Sequence, residues 1–260
     1  MNHLSKSEIG ILIPARLDST RLANKLLISV EGLPIIEHVR RRAELNHSNV
    51  DVVVVSGDQE ILRITENNGG QTFYSTEIHE NGTSRVEEAS RHFSWKQIIV
   101  VQGDELLVLP RHIDELINEA SKDITTPIIN SISPVKSEED ILDHSIVKCT
   151  LNTQGKILDM FRASPLTSTL ENQKMLMYKV LGLFAMSTSL LQNSRNMKTT
   201  PLQASESIEQ LKLLENSIPI KSVLLDATYT SINLQKDLEV ALRHLSSDSE
   251  QKDVLQSILK

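Results

Sequence analysis

The sequence predicts an α/β protein: a doubly wound, mostly parallel sheet with a β-hairpin-bearing insertion in its second half. Three observations carry this expectation. Short β-branched runs, "IGILIP" (9–14), "VDVVVVS" (50–56), "QIIVVQ" (97–102) and "TPIINSIS" (126–133), have the length and composition of strands buried on both faces. The segments between them repeat apolar residues at helical spacing. From about residue 134 that alternation gives way to paired short runs around a polar turn.

Taken in order, the run 9–14 is followed by a polar loop and then by Ile35, Val39 and Ala43 on one helical face, with Pro34 suited to the first turn. After 50–56, Ile61, Ile64 and Thr65 mark a second helix. After 97–102, Pro110 opens a third, with Ile113, Leu116 and Ile117 on its apolar face. Strands alternating with helices of this length require right-handed crossovers and a sheet covered on both sides, a doubly wound nucleotide-binding architecture. Further on, "SIVKCTLNTQGKILDMF" reads as two strands joined at Asn152-Thr153-Gln154-Gly155, and "MYKVLGLFAMS" as another strand. "PLQASESIEQLKLLENS" reads as one helix, with Pro at its start, Ile208, Leu211 and Leu214 on one side, and Asn-Ser at its end. Leu234 to Lys260 reads as two short amphipathic helices separated by "SSDSE". The expected organisation is an α/β part over 1–133, an insertion over 134–217, and a strand with helices over 218–260 that complete the α/β domain.

The chain has 260 residues, enough to bury a substantial core. A formal charge of −7, with no long Lys/Arg run, argues against nucleic-acid binding through a broad basic face. Aromatic residues make up 3%, too few for a base-stacking platform, so no nucleic-acid partner is expected. The single cysteine, Cys149, permits no intramolecular disulfide and offers no metal-ligand spacing, and it reads as a small buried apolar residue. No apolar run approaches the roughly 20 residues needed to span a bilayer, and none resembles a signal peptide. A soluble cytoplasmic protein without a membrane partner is expected.

In open parallel sheets the ligand sits beyond the carboxyl ends of the strands. The loop after 9–14, "ARLDSTRLANK", supplies Arg16, Arg21 and Lys25. Guanidinium groups grip two oxygens in a fork and lysine adds a movable point charge, a set suited to a polyphosphate. The spacing is neither a Walker loop nor a dinucleotide fingerprint. The loop after 97–102, "GDELLV", places Asp104 and Glu105 at a strand tip, where a carboxylate is suited to hold Mg²⁺. Each cation alone reads equally well as a solvated residue or an ion-pair partner, and Asp104 alone as a turn or cap. Two such loops at one rim define a phosphate-handling α/β enzyme of unspecified substrate.

The motif "IPARLDSTRLANKLL" resembles the I-P-A-R-x-x-S-T-R-L-P-G-K-P-L signature of the 3-deoxy-manno-octulosonate (Kdo) cytidylyltransferase family of sugar-acid cytidylyltransferases. "ENGTSR", "VVQGDELLV", "SIVKCTLNTQGKILDMFRASP" and "IEQLKLLENSIPI" follow in the family's order, so the resemblance runs from residue 9 to about 245. It implies a nucleotide-diphospho-sugar transferase-like, GT-A/Rossmann-like fold whose 134–217 insertion serves sugar binding and dimerisation. It also implies a reaction: CTP plus a 3-deoxy-2-ulosonic acid gives the CMP-sugar and pyrophosphate, assisted by Mg²⁺, in lipopolysaccharide biosynthesis. Carried over by position, Arg16, Lys25 and Asp104 would be catalytic. Ala15, Arg16, Ser19, Thr20, Arg21, Lys25, Gly82, Thr83, Arg85 and Gln102 would bind the nucleotide. Arg162, Glu209, Gln210, Val180 and Phe184 would face the sugar acid, and Asp104 and Asn233 would hold the metal. Lys148 fits either a structural ion pair or a ligand contact. A homodimer is implied in the same way.

The departures from the family pattern are specific. Asn233 stands where the family has a metal-binding Asp, which removes a unit of negative charge. Ala23-Asn24 replaces Pro-Gly, although Asn tolerates a left-handed backbone. Val180, Phe184 and Met186 replace a His and two Tyr, which makes the expected sugar pocket more apolar unless these side chains face the core. The readings left open are a cytidylyltransferase for Kdo or a close analogue, a degenerate nucleotide-binding homologue, and a nucleotidyltransferase for a different sugar in polysaccharide synthesis.

Overall fold

In the computed structural model, which describes residues 4–18, 21–226 and 229–260, the apolar runs become the centre of one large sheet. The chain passes through β1 (Ile9–Ala15), β2 (Ser29–Val30), β3 (Leu33–Pro34), α1 (Ile35–Glu44), β4 (Val52–Ser56), α2 (Gln59–Asn67), β5 (Gln71–Tyr74), α3 (Gly82–Ser90), β6 (Gln97–Val101), α4 (Pro110–Lys122) and β7 (Ile128–Pro134). It continues through α5 (Glu138–Leu142), β8 (Lys148–Leu151), β9 (Ile157–Phe161), α6 (Leu170–Leu176), β10 (Met177–Ser187), α7 (Thr188–Ser194), α8 (Pro201–Glu206) and α9 (Leu211–Glu215). It ends with β11 (Lys221–Leu224), α10 (Gln235–Ser247) and α11 (Ser249–Ile258).

The sheet order is β11-β7-β10-β6-β1-β4-β5, with β8 pairing β10 and β9 pairing β8. β1 runs parallel to β4 and β6, β4 to β5 and β7 to β11, whereas β10 is antiparallel to β6, β7 and β8. β10 therefore carries residues of the 134–217 stretch into the middle of the main sheet.

The strands read as unbroken apolar runs because the sheet buries both faces. Ile11, Ile13, Val52, Val54, Ile99 and Val101 point into one core layer with α1, α4 and α10. The alternate residues Leu12, Val53, Val55, Ile98 and Val100 point into the other, with α3, α7 and α9. Cys149 is fully buried in the second layer, and burial pushes its thiol up to about 12.

Two expectations need correction. The segment from Pro201 forms two helices, because Ser207 adopts a left-handed backbone (φ 54°) that ends α8 before α9 begins. Leu211 and Leu213, with Ile208, enter the core, whereas Leu214 is only partly buried against it. Pro34 closes a hairpin and caps α1 rather than entering its first turn. That hairpin turns on Glu31 and Gly32, both at positive φ, as a tight two-residue turn requires.

His38 in α1 is fully buried, and its Nε2 donates to the Val30 carbonyl at 2.7 Å. Burial lowers its pKa to about 4. The fold therefore favours the neutral ring, a stabilisation present above the ordinary value of 6.5 and lost as pH falls toward 4. The loss amounts to roughly 3 kcal/mol by pH 4. In His38→Gln the unfolding free energy, measured by urea denaturation, should fall less steeply between pH 6.5 and 4.5 than in wild type, with His112, also lowered by burial, supplying part of the slope that remains; an unchanged slope would refute the assignment.

Candidate active site

The loop after β1 is held from two sides. Leu17 N–H donates to Asp58 Oδ2 at 2.8 Å, and Arg85 Nη1 donates to the Ala15 carbonyl at 2.9 Å. Ser19 and Thr20 lie outside the described residues. The loop rejoins the body through a 3-10 turn, Lys25–Leu27, entered from Asn24 at φ 50°, ψ 30°. An asparagine adopts this left-handed conformation readily, so the turn survives without glycine. Leu26 is buried beneath it and fixes where Lys25 emerges.

Lys25 Nζ reaches Asp104 Oδ2 at 2.5 Å and the Ile232 carbonyl at 2.9 Å. Asp104 stands just beyond β6, and its own carbonyl accepts from Ile232 N–H at 3.0 Å. The segments around residues 25, 104 and 232 thus close a small ring of polar contacts. Next to it, Arg21 Nη2 donates to Asn233 Oδ1 at 2.8 Å. Asp104 is reached through Gly103, where a Cβ would stand 2.9 Å from the Pro14 carbonyl oxygen. Glu105 turns inward, where burial and then the Asp104 charge push its carboxyl up to about 8. Near neutral pH Glu105 is therefore mostly protonated.

The opposite wall is the start of α3. Asn81 caps it, accepting from Ser84 N–H at 2.9 Å. At Gly82 a Cβ would lie 3.3 Å from both Gln102 Oε1 and Pro14. The approach to this helix is tied down by Glu88, whose carboxylate accepts from Ser75 Oγ at 2.5 Å, Thr76 N–H at 3.0 Å and His79 Nε2 at 2.7 Å. Burial alone would raise the Glu88 pKa, but these hydrogen bonds outweigh it and hold the group at about 2. Glu209 is pushed up by burial, opposed by hydrogen bonds from Thr83.

These walls enclose a cavity of ≈ 650 Å³. Of the residues expected at the site, it brings together Ala15, Arg16, Arg21, Lys25, Gly82, Arg85, Gln102, Asp104, Glu209 and Asn233. Thr83 faces an adjoining cavity of ≈ 320 Å³ that shares Glu80, Asn81 and Gln203 with the first. Gln210 begins α9 with its Oε1 buried and unpartnered.

Other expected residues are placed elsewhere. Phe184 and Met186 are 4% and 2% exposed in the second core layer, and Val180 packs against that layer. All three pack in or against that layer, although the β10–β7 register shifts between Val180 and Phe184 and Val180 stays partly exposed. Arg162 was expected to meet a sugar carboxylate. Its guanidinium instead donates to the carbonyls of His144, Ser145, Glu206 and Ser207, bracing the break between α8 and α9. Lys148 is buried and donates to the Asp143 carbonyl at 2.8 Å, a structural contact. The oxygen of Asn233, expected on the metal, accepts from Arg21.

Residues absent from the sequence reading also matter here. Asp58 anchors the first loop, and Asp18, Glu80, Asn81, Gln203 and Ser207 line the cavity. Asp58 follows the tip of β4 and was detectable as another acidic group at a strand end. Gln203 and Ser207 depend on the α8–α9 break, which has no Gly or Pro to announce it.

The sheet, its strand-tip cavity and the facing basic loop are those of a nucleotidyltransferase. The family described as cytidylyltransferase matches residues 10–222, and the chain belongs to that family. It is 34% identical over 238 residues to the 3-deoxy-manno-octulosonate cytidylyltransferase of Chlorobium limicola, covering 90% of this chain and 96% of that protein. Its identity to the enzyme of the same name from Geotalea uraniireducens is 31% over 249 residues, covering 92% and 99%. Among solved structures it is similar to a CMP:2-keto-3-deoxy-manno-octonic acid synthetase complexed with CTP (TM-score 0.86, 27% identity, 93% of this chain and 99% of that one).

Gly103→Ala should destabilise the protein by about 1–3 kcal/mol, because the added carbon forces β6 away from backbone rather than from a flexible side chain. Urea denaturation checks this, and wild-type stability would show that the two strand tips part without cost.

Proposed function

We propose that this cytidylyltransferase transfers CMP from CTP to 3-deoxy-manno-octulosonate or a close ulosonic acid, releasing pyrophosphate. The observation that carries the reading is the convergence of Lys25 and Asp104, from loops far apart in sequence, on one cavity with Arg16 and Arg21. The names of the relatives and of the CTP-bound structure supply the substrates.

In this reading the anomeric hydroxyl attacks the α-phosphorus in line: the new oxygen–phosphorus bond forms as the bond to the β-phosphate oxygen breaks. Arg16, Arg21 and Lys25 hold the triphosphate and oppose the charge that gathers on the departing pyrophosphate. Ala15, Gly82, Arg85 and Gln102 form the nucleotide bed, with Thr83 in the adjoining cavity. Glu209, and Gln210 through its unpartnered oxygen, face the sugar acid.

Mg²⁺ fits this donor set on one condition. Among the described residues there is no group of three or more His, Cys, Asp or Glu side chains suited to hold a metal. Asp104 offers a single carboxylate, so most remaining ligands must be triphosphate oxygens and water, a common mode for Mg²⁺. The bound ion would supply electrophilic assistance at the phosphates.

Exposed apolar side chains on the 134–217 segment, Leu142 (63%), Leu158 (60%), Met175 (68%) and Leu176 (55%), support a homodimer through that region. Among the described residues no helix is long and apolar enough to cross a membrane. We place the enzyme in the cytoplasm, in lipopolysaccharide synthesis, on the names of its relatives. A second reading, a nucleotide-binding homologue without turnover, is favoured by one observation: the carboxylate-binding arginine expected at 162 is engaged by backbone carbonyls.

Purified protein with CTP and Mg²⁺ should release pyrophosphate on addition of Kdo, its amino analogue or another ulosonic acid. CTP binding without release for any of them would support the second reading instead. Lys25→Ala and Asp104→Ala should each lower kcat/KM by about 100-fold or more while leaving the thermal unfolding transition cooperative. Full activity in either variant would remove that residue from the chemistry.

A further inference from the structure

Two cations of the cavity already have oxygen partners, and the partners differ in kind. Lys25 meets a carboxylate, whereas Arg21 meets the neutral amide of Asn233. The amide is held on every side. Its Nδ2 faces Ser231, 3.2 Å from Oγ and 3.5 Å from the carbonyl, so Oδ1 is the atom turned toward Arg21. Its backbone N–H donates to Asp237 Oδ2 at 2.9 Å, and the same oxygen accepts from Leu234 N–H at 2.7 Å. Asp237 lies in the first turn of α10, which is fixed to the core through Leu238, Ala241 and Leu245. A rigid helix thus sets the backbone of Asn233, Ser231 orients its amide, and that amide receives one guanidinium donor of an exposed arginine.

A neutral acceptor does something here that a carboxylate does not. It directs the guanidinium without forming an ion pair, so the positive charge stays available to an anion in the cavity. The single amide oxygen of Asn233 is taken up by Arg21, whose guanidinium would repel a dication, whereas the Asp104 carboxylate meets Lys25 through Oδ2 and has a second oxygen and a full charge to offer a metal.

We propose that Asn233 is a positioning residue that aims Arg21 at the CTP triphosphate, and that it takes no part in holding the metal. The proposal rests on the nucleotide reading above. Asn233 therefore acts on nucleotide affinity through Arg21, with or without a divalent ion.

The test is CTP binding by isothermal titration in EDTA, alongside the steady-state KM for CTP and the Mg²⁺ activation constant, for wild type, Asn233→Ala, Arg21→Gln and the double variant. Asn233→Ala should weaken CTP binding in EDTA by about tenfold, the cost of one hydrogen bond to a charged group. Its KM for CTP should rise by a similar factor, and its Mg²⁺ activation constant at saturating CTP should stay at the wild-type value. The double variant should bind CTP no worse than Arg21→Gln alone, since Asn233 acts only through that arginine. A merely structural role would leave the two losses additive, and additivity overturns the proposal. It is equally overturned if Asn233→Ala shifts the Mg²⁺ constant and leaves metal-free CTP binding intact. Wild-type protein that fails to bind CTP under any condition would refute the nucleotide reading itself, a result distinct from either of these.

Discussion

The contact between the Lys25 ammonium and the Asp104 carboxylate organises this end of the molecule. β1 and β6 are parallel neighbours, so the loops that follow them emerge side by side. Without an attraction between those loops, a basic segment and an acidic strand tip would each turn to solvent. Both side chains are largely withdrawn from water, 14% and 23% exposed, which makes the attraction stronger than that of an open surface pair. Ile232 accepts from the same lysine and donates to the Asp104 carbonyl, so the chain before α10 is drawn into the arrangement as well. Three segments separated by long stretches of sequence meet at one point, and the cavity lies between them.

The protonation states around that point divide the work among acidic groups close in space. Asp104 faces the cavity beside a cation, Glu105 turns inward and is mostly protonated, and Glu88 is ionised behind the wall by the hydroxyl, imidazole and backbone donors it collects. Only the first presents charge to a ligand. The second fills space against Gly182, where a Cβ would come within 2.4 Å of its Oε1. The third ties residues 75–79 to α3 and so supports the wall that Asn81 and Gly82 present.

Much of this was legible in the sequence because it follows from local rules. Unbroken apolar runs announced the central strands, and a hairpin turn at 152–155 and an eleven-residue β10 appear where the residues placed them. Basic and acidic loops after adjacent strands located the cavity. What was hidden depends on tertiary context. β5 is a short edge strand whose side chains are only partly buried, so "QTFY" carries little pattern. The break at Ser207 requires a left-handed backbone at a residue that does not advertise one, and with it goes the position of Gln203. Position-by-position transfer from the family implied that Arg162, Val180 and Phe184 face the sugar acid. Arg162 is engaged by four backbone carbonyls, two of them at the α8–α9 break, which no local pattern encodes, whereas Phe184 in the core and Val180 against it follow the alternative that their apolar side chains had left open.

The central claim is that the Lys25–Asp104 pair marks the triphosphate site. A crystal structure with CTP and Mg²⁺ tests it most directly. The triphosphate should lie within hydrogen-bonding distance of Lys25 and Arg16, with Asp104 on the metal side of the phosphates. Nucleotide bound in any other cavity, with Lys25 and Asp104 still paired and untouched, would contradict the account.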